Sequence, residues 1–258
     1  MPGGRDMKKV KSLDHNGITV MFMAAVARPQ WDPHKNEQFD GKIGAWPFVR
    51  EEQILNAETK LQSTFVALET VTKDDVQRMI TELIIPAIRH KMPVHLMQGI
   101  VYIQQDSAKI RCAGDVMFVE EGRKGGWNIQ MQNLPPYSPD FTVMDNALFK
   151  SIQATLKTLP APLLSAPVTG LTELLSGVER GFEALTRDQI NDAFLSLQKT
   201  MECTMRVQGS NTYELGPTGK EQLQFEGSLP VSILCNPDAM LACRAALDEA
   251  TEEALEAI

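Results

Sequence analysis

The stretch Ile18-Thr-Val-Met-Phe-Met-Ala-Ala-Val-Ala27 constrains the fold more than any other part of the chain. It is almost continuously apolar, rich in residues that favour extended backbone, and stopped by Arg28-Pro29. A run this short, with no polar face, reads as a strand buried on both sides and not as an amphipathic helix.

The segments C-terminal to this run support layers of both kinds. A loop is expected next, with Pro33, Gly41, Gly44 and Pro47 and carrying Trp31, Trp46 and Phe48, then a strand over Thr64 to Thr70. Thr72, with Asp74 and Asp75 behind it, predicts a helix start, because a hydroxyl cap and early acids suit the helix N-terminus. Val76, Met79, Ile80, Leu83, Ile84, Ala87 and Ile88 recur at helical spacing, and Pro86 inside that pattern predicts a kink or an early end. A strand is expected over Gly99 to Asp106 and another over Trp127 to Gln132, the latter with Trp127, Ile129 and Met131 on one face, while 113–126 reads as a charged, Gly-rich connection. Pro135 to Pro139 reads as a rigid extended turn, with helix resuming near Val143. Two further helices carry Leu171, Leu174, Leu175, Val178 and Phe182, then Ile190, Phe194, Leu197, Met201 and Met205, the second opened by the capping box Thr186-Arg-Asp-Gln189. Both methionines of that helix are assigned to the core. After a polar, Gly-rich stretch, Pro237 to Ile258 reads as an acidic helix. Alternating helix and strand of this kind predicts an α/β fold.

Composition narrows the function classes. The 258 residues suffice for one large domain or two small ones, and 43% hydrophobic content is ordinary for a globular protein with a core. No apolar run approaches the roughly 18 to 20 residues of a membrane helix. Met1 to Lys11 is basic and polar without an apolar h-region, so no secretory signal is visible and secretion is not expected. Cys112, Cys203, Cys235 and Cys243 form no CxxC pair and read as thiols. The net charge is −8, and 5 of the 33 acids fall between Asp248 and Ile258 with no Lys or Arg among them. That balance excludes a dedicated basic reader of duplex DNA, so any nucleic-acid contact needs a local basic patch. The acidic end itself reads as a solvated helix face.

Two acids stand where chemistry is often built. Asp106 ends the strand in Ile103-Gln-Gln-Asp-Ser-Ala108, and the C-terminal edge of a sheet is where α/β proteins place their sites. Asp145, in Val143-Met-Asp-Asn-Ala147, lies 39 residues later (145 − 106). Two carboxylates from separate segments are able to converge on a hard divalent cation. The same positions fit simpler roles: Asp145 completes a capping box begun by Thr142, and Asp106 caps a turn.

Gln104-Gln-Asp-Ser-Ala108, Asn133-Leu-Pro-Pro-Tyr-Ser-Pro-Asp140 and Val143-Met-Asp145, in that order, resemble the catalytic core of mariner-type transposases. Leu148-Phe-Lys-Ser-Ile-Gln153 and the 39-residue separation of the acids are similar to the plant-type branch, as are Val20 to Pro29, Phe39 to Phe48, Leu195 to Gln198 and Gly209 to Tyr213. The resemblance spans roughly residues 18 to 230. It implies a ribonuclease H-like mixed sheet flanked by helices, with a helical C-terminal extension. It further implies DNA cleavage and strand transfer, with Asp106 and Asp145 as the second and third catalytic acids and as ligands of Mg²⁺ or Mn²⁺. Asp140 maps to the turn as a structural residue, with its use as the ligand the runner-up. DNA is the implied partner, a homodimer is compatible with it, and a membrane is not. The nucleus is the implied compartment, the cytoplasm otherwise.

The match also departs from the family pattern. Its first acid stands on a strand upstream of Val20, where this chain offers only Asp6 and Asp14, neither in an apolar run; Asp14-His-Asn-Gly17 reads as a turn, and Asp14 is the weak substitute. Ser107 stands where the family has Asn, and Ile110-Arg111 where it usually has Pro-His. The expectation is a loosely ordered 1–17, a catalytic-type domain over 18–208 without its first acidic strand or the DNA-binding region before it, and an extension over 209–258. Catalysis would be impaired; the alternative is a non-catalytic domain that binds DNA or a protein. His15, His34, His90 and His95 show no ligand spacing and read as surface or turn residues, and Trp31 and Trp46 read as packed on the sheet.

Overall fold

The computed structural model describes residues 12–15, 18–54, 62–67, 70–105, 116–134, 138–144, 148–157, 167–210, 212–213 and 234–256. Among these the fold is mixed α/β, with small sheets and no closed barrel. Strand β2 (Ile18–Val26) lies between β1 (Ser12–His15) and β5 (Lys42–Pro47), antiparallel to both. The short strands β3 (Gln30–Asp32) and β4 (Glu37–Phe39) pair with each other, as do β6 (Val49–Ile54) and β7 (Gln62–Ala67). Strands β8 (Val101–Gln105) and β9 (Ile129–Asn133) form a parallel pair.

β2 is covered on both faces, as its apolar run predicts. Val20 and Phe22, with Ala24 and Val26 beside them, enter a core completed by α4 (Phe149–Lys157), α5 (Pro167–Glu183) and α6 (Arg187–Arg206). Met21, Met23, Ala25 and Ala27 point the other way, into a second core shared with α1 (Lys73–Met79), α2 (Ile85–Lys91) and α3 (Val116–Arg123). The last helix, α7 (Pro237–Glu256), packs on α6. Lys42 joins sheet to helix: its Nζ donates to the Glu183 carbonyl at the end of α5 at 2.8 Å and pairs with Asp40 and Glu183 at 3.3 Å each.

Several local expectations meet the structure directly. Thr72 caps α1 and Thr186 caps α6, each in a reciprocal capping box, with Asp75 and Gln189. The strain expected at Pro86 is taken up before it. Ile80–Ile84 winds as a π-helix, with the Ile85 N–H bonded to the Ile80 carbonyl, and Pro86 enters in the first turn of α2, where its missing N–H costs little. The extra residue per turn rotates the following side chains, so Leu83, expected inside, is 44% exposed, while Ile85 is fully buried.

Other expectations are corrected. Asp14 lies in β1 opposite Thr19 and not in a turn; Asn16-Gly17 between the paired strands is a strong two-residue hairpin signal. The loop expected over 28–48 holds β3, β4 and β5, because its breakers sit at turns or under neighbours. Gly41 (φ +91°) turns the chain between β4 and β5, and the Trp46 ring occupies the space a side chain on Gly44 would need. Trp46 thus packs on the sheet, whereas Trp31 is exposed. The connection expected over 113–126 contains α3, whose Glu120 and Arg123 are exposed while Phe118 and Gly122, four residues apart, face in. Of the two methionines assigned to the core, Met201 is exposed. Cys203, Cys235 and Cys243 are free thiols.

A Cβ on Gly122 would lie 2.3 Å from the Ile129 carbonyl oxygen, so α3 sits on β9 at a distance only glycine permits. Gly122→Ala is expected to lower stability by about 1–3 kcal/mol in urea unfolding, through overpacking against backbone. Gly99→Ala, whose new Cβ would meet nothing nearer than 3.9 Å, should change it by less than about 0.5 kcal/mol.

Candidate functional site

The parallel pair β8–β9 sets the frame of the site. One face, Val101, Ile103, Ile129 and Met131, packs into the second core, and the other presents Tyr102, Gln104, Gln130 and Gln132 to solvent. In register, Gln105 lies opposite Asn133, so both strands finish at the same edge. Asp106 is the next residue after Gln105. The chain leaving β9 buries Leu134 and re-emerges in a 3₁₀ turn, Pro139–Phe141. Val143 and Leu148, both buried in the first core, then bracket 145–147. Asp106 and Asp145 themselves lie outside the described residues, as do Pro135 and Pro136; the segments leading to them are fixed by the strand ends and by Val143 and Leu148.

Asp140, the alternative ligand, is described. It is exposed within the 3₁₀ turn, and the Tyr213 hydroxyl donates to its Oδ2 at 3.4 Å. Burial pushes the Tyr213 phenol above its ordinary pKa, and the Asp140 charge adds to that, while the Thr204 hydroxyl opposes it. The turn also packs against α6. Asp140 therefore ties the segment preceding Asp145 to the helical layer. Nothing in local sequence periodicity marks this contact, since the partners are 73 residues apart.

The opposite side of the β8–β9 pair is braced by charge. Glu121 on α3 accepts from Lys124 at 2.5 Å and from Arg89 on α2 at 2.8 Å, and Arg89 also donates to the Glu121 carbonyl. Hydrogen bonding from Lys124, then from Arg89, holds the Glu121 carboxyl below the ordinary range against the opposing effect of burial. This brace ties α3 to α2, while the close approach at Gly122 sets α3 on β9.

Among the described residues no group of three or more His, Cys, Asp or Glu is placed to hold a metal ion. His34 and His90 are exposed, and His95 is half-buried. No helix there is long and apolar enough to cross a membrane. No protein-family model, curated protein or solved structure matches the chain. Asp106 and Asp145, the acids that the resemblance assigns to a cation, are not among the described residues.

Two outcomes are expected. Because the folded carboxyl of Glu121 titrates below its unfolded value, its contribution is complete above about pH 5 and lost as pH falls through the folded pKa. Urea midpoints measured from pH 6 downward should fall less steeply for Glu121→Gln than for wild type. Tyr213→Phe should cost about 0.5–1.5 kcal/mol by the same measurement; in Asp140→Asn/Tyr213→Phe the two effects should be less than additive.

Proposed function

We propose that this chain is a transposase-derived domain of mariner type, of the plant-type branch, with a ribonuclease H-like fold and DNA as its substrate. The observation that carries the reading is the register of β8 and β9: their C-terminal ends share one edge and lead in sequence into the two motifs that bear Asp106 and Asp145. The mixed strand pairing with helical layers on both faces of β2 supports it as well.

In this reading Asp106 and Asp145 hold Mg²⁺ or Mn²⁺. Ions held there would supply activation of water or a DNA 3′-hydroxyl and stabilisation of the leaving oxygen in phosphodiester cleavage. The protein's part is to fix the two carboxylates on chain segments anchored in the core, with Asp140 and Tyr213 steadying the turn before the second. Two matched carboxylates hold a pair of ions weakly, so cleavage is slow and autonomous transposition is not sustained. The family's first acid has no matched counterpart in this chain, and Asp14 stands only as its weak substitute. A nuclear location follows from the reading, and a homodimer is compatible with it.

Calorimetric titration of Mn²⁺ into wild type, Asp106→Ala and Asp145→Ala tests this. Saturable binding lost in both variants, with Mn²⁺-dependent nicking of duplex DNA lost in parallel, is the expected result. Absence of binding in folded wild type removes the metal-dependent reading. It leaves the second one, a non-catalytic domain that binds DNA or a protein, which the net charge of −8 favours because it gives no general attraction to phosphate. In that case Asp106→Ala keeps all partner binding.

A further inference from the structure

The chain carries 33 acids in 258 residues, yet 83–105 and 122–139 contain none. Those two stretches hold the cations Arg89, Lys91, Arg123 and Lys124 and two of the four histidines, His90 and His95. The fold brings them together. Helix α2 ends at Lys91 and α3 at Arg123, and each leads through a short 3₁₀ turn, Val94–Gln98 and Lys124–Gly126, into the start of β8 or β9. Arg89 bridges the two helices at Glu121, a Cβ on Gly126 would meet Met97 at 3.0 Å, and the Val101 N–H donates to the Asn128 carbonyl at 2.9 Å. Because β8 and β9 are parallel, both helix ends stand at one edge, the N-terminal edge of the pair, away from the edge that leads to Asp106.

Cations in the last turn of a helix suit its dipole, and that accounts for each helix by itself. It does not account for the edge as a whole. Glu121 already takes Arg89 and Lys124 as partners, whereas Lys91 and Arg123 are exposed and have no ion-pair partner among the described residues. Glu120, one turn back on α3, is the exposed acid next to them in sequence. Asp74 and Asp75 lie at the far end of the continuous helical stack that finishes at Lys91, roughly 20–25 Å back along its axis. Beside the cations, Gln98, Gly99, Gly125 and Gly126 are exposed and offer uncharged hydrogen-bonding groups. Unspent point charges beside neutral donors fit a polyanion of closely spaced phosphates, and they supply the local basic patch that an acidic chain needs to meet one. We propose that this edge is a contact surface for the phosphate backbone of duplex DNA, with Lys91 and Arg123 as the principal phosphate contacts and no reading of base sequence. The proposal rests on DNA being the partner, as in the proposed function, and makes no use of the metal-binding acids.

The full chain is titrated into a labelled duplex of about 20 base pairs and followed by fluorescence anisotropy, with EDTA present so that no divalent cation bridges DNA to an acid. Wild type is compared with Lys91→Gln/Arg123→Gln and with Arg187→Gln/Arg244→Gln, which removes the same charge from exposed positions on α6 and α7. An unchanged circular dichroism signal and melting temperature confirm that each variant is folded. Wild type should bind, more weakly as salt is raised and equally to an unrelated duplex of the same length. The Lys91/Arg123 variant should bind at least about tenfold more weakly, with a log–log salt slope shallower by about two, while the other variant stays within about twofold of wild type. If wild type does not bind, this surface and DNA as the substrate fall together. If wild type binds and the Lys91/Arg123 variant binds equally well, the surface alone is wrong and DNA as the partner stands. Sedimentation with phosphatidylcholine–phosphatidylserine vesicles that is lost in the Lys91/Arg123 variant, with no binding of the duplex, makes an anionic membrane the occupant and also overturns the proposal.

Discussion

Burial of β2 on both faces is the constraint on which the rest of this structure depends. Its side chains alternate between two cores, Val20 and Phe22 on one side and Met21 and Met23 on the other. Each large side chain fully withdrawn from water contributes about 1.5–3 kcal/mol, so both helical layers draw on the same few residues. A slip of one residue would exchange the two sets wholesale, which pins the register of β1 and β5. The irregularity between Ala25 and Val26 is the one interruption in the β2–β5 ladder; it lets Ile43 enter the second core without disturbing the alternation upstream.

The candidate site inherits this dependence in a particular way. The β8–β9 pair, and so the approach to Asp106, is anchored in the second core through Ile103, Ile129 and Trp127. The approach to Asp145 is anchored in the first, through Val143 and Leu148. The described segments that precede the two acids in sequence thus pack on opposite faces of β2. Gly122 and the Arg89–Glu121–Lys124 brace set one side, and the Tyr213–Asp140 contact and α6 the other.

What the sequence made legible was whatever depends on near neighbours. The capping boxes at Thr72 and Thr186, the apolar run of β2 and the five-residue strands each carry their signal within a few positions. The antiparallel strands over 30–47 were hidden because Gly41, Gly44 and the prolines read as breakers, while their accommodation depends on Ala27, Trp46 and a turn. Helix α3 was hidden by its glycine and charges, which make sense only once Ile129 and Arg89 are beside it. The candidate acids were legible as spacing and motif, not as geometry. Tyr213 was marked only as the end of the Gly209–Tyr213 stretch; its contact with Asp140 left no local signal, since the partners lie 73 residues apart.

The π-helical turn at Ile80–Ile84 bears on how this chain is compared with others. One surplus residue there shifts every later position of α2 by about 100° around the axis. A homologous segment with a regular helix would need one residue fewer to keep the counterparts of Val76 and Ile88 in the same core. An alignment that scores hydrophobic identity without opening a gap would therefore match Leu83, which faces water here, to a residue that faces inward there. In this segment a one-residue gap would be the register that preserves structure, and an ungapped match the one that obscures it.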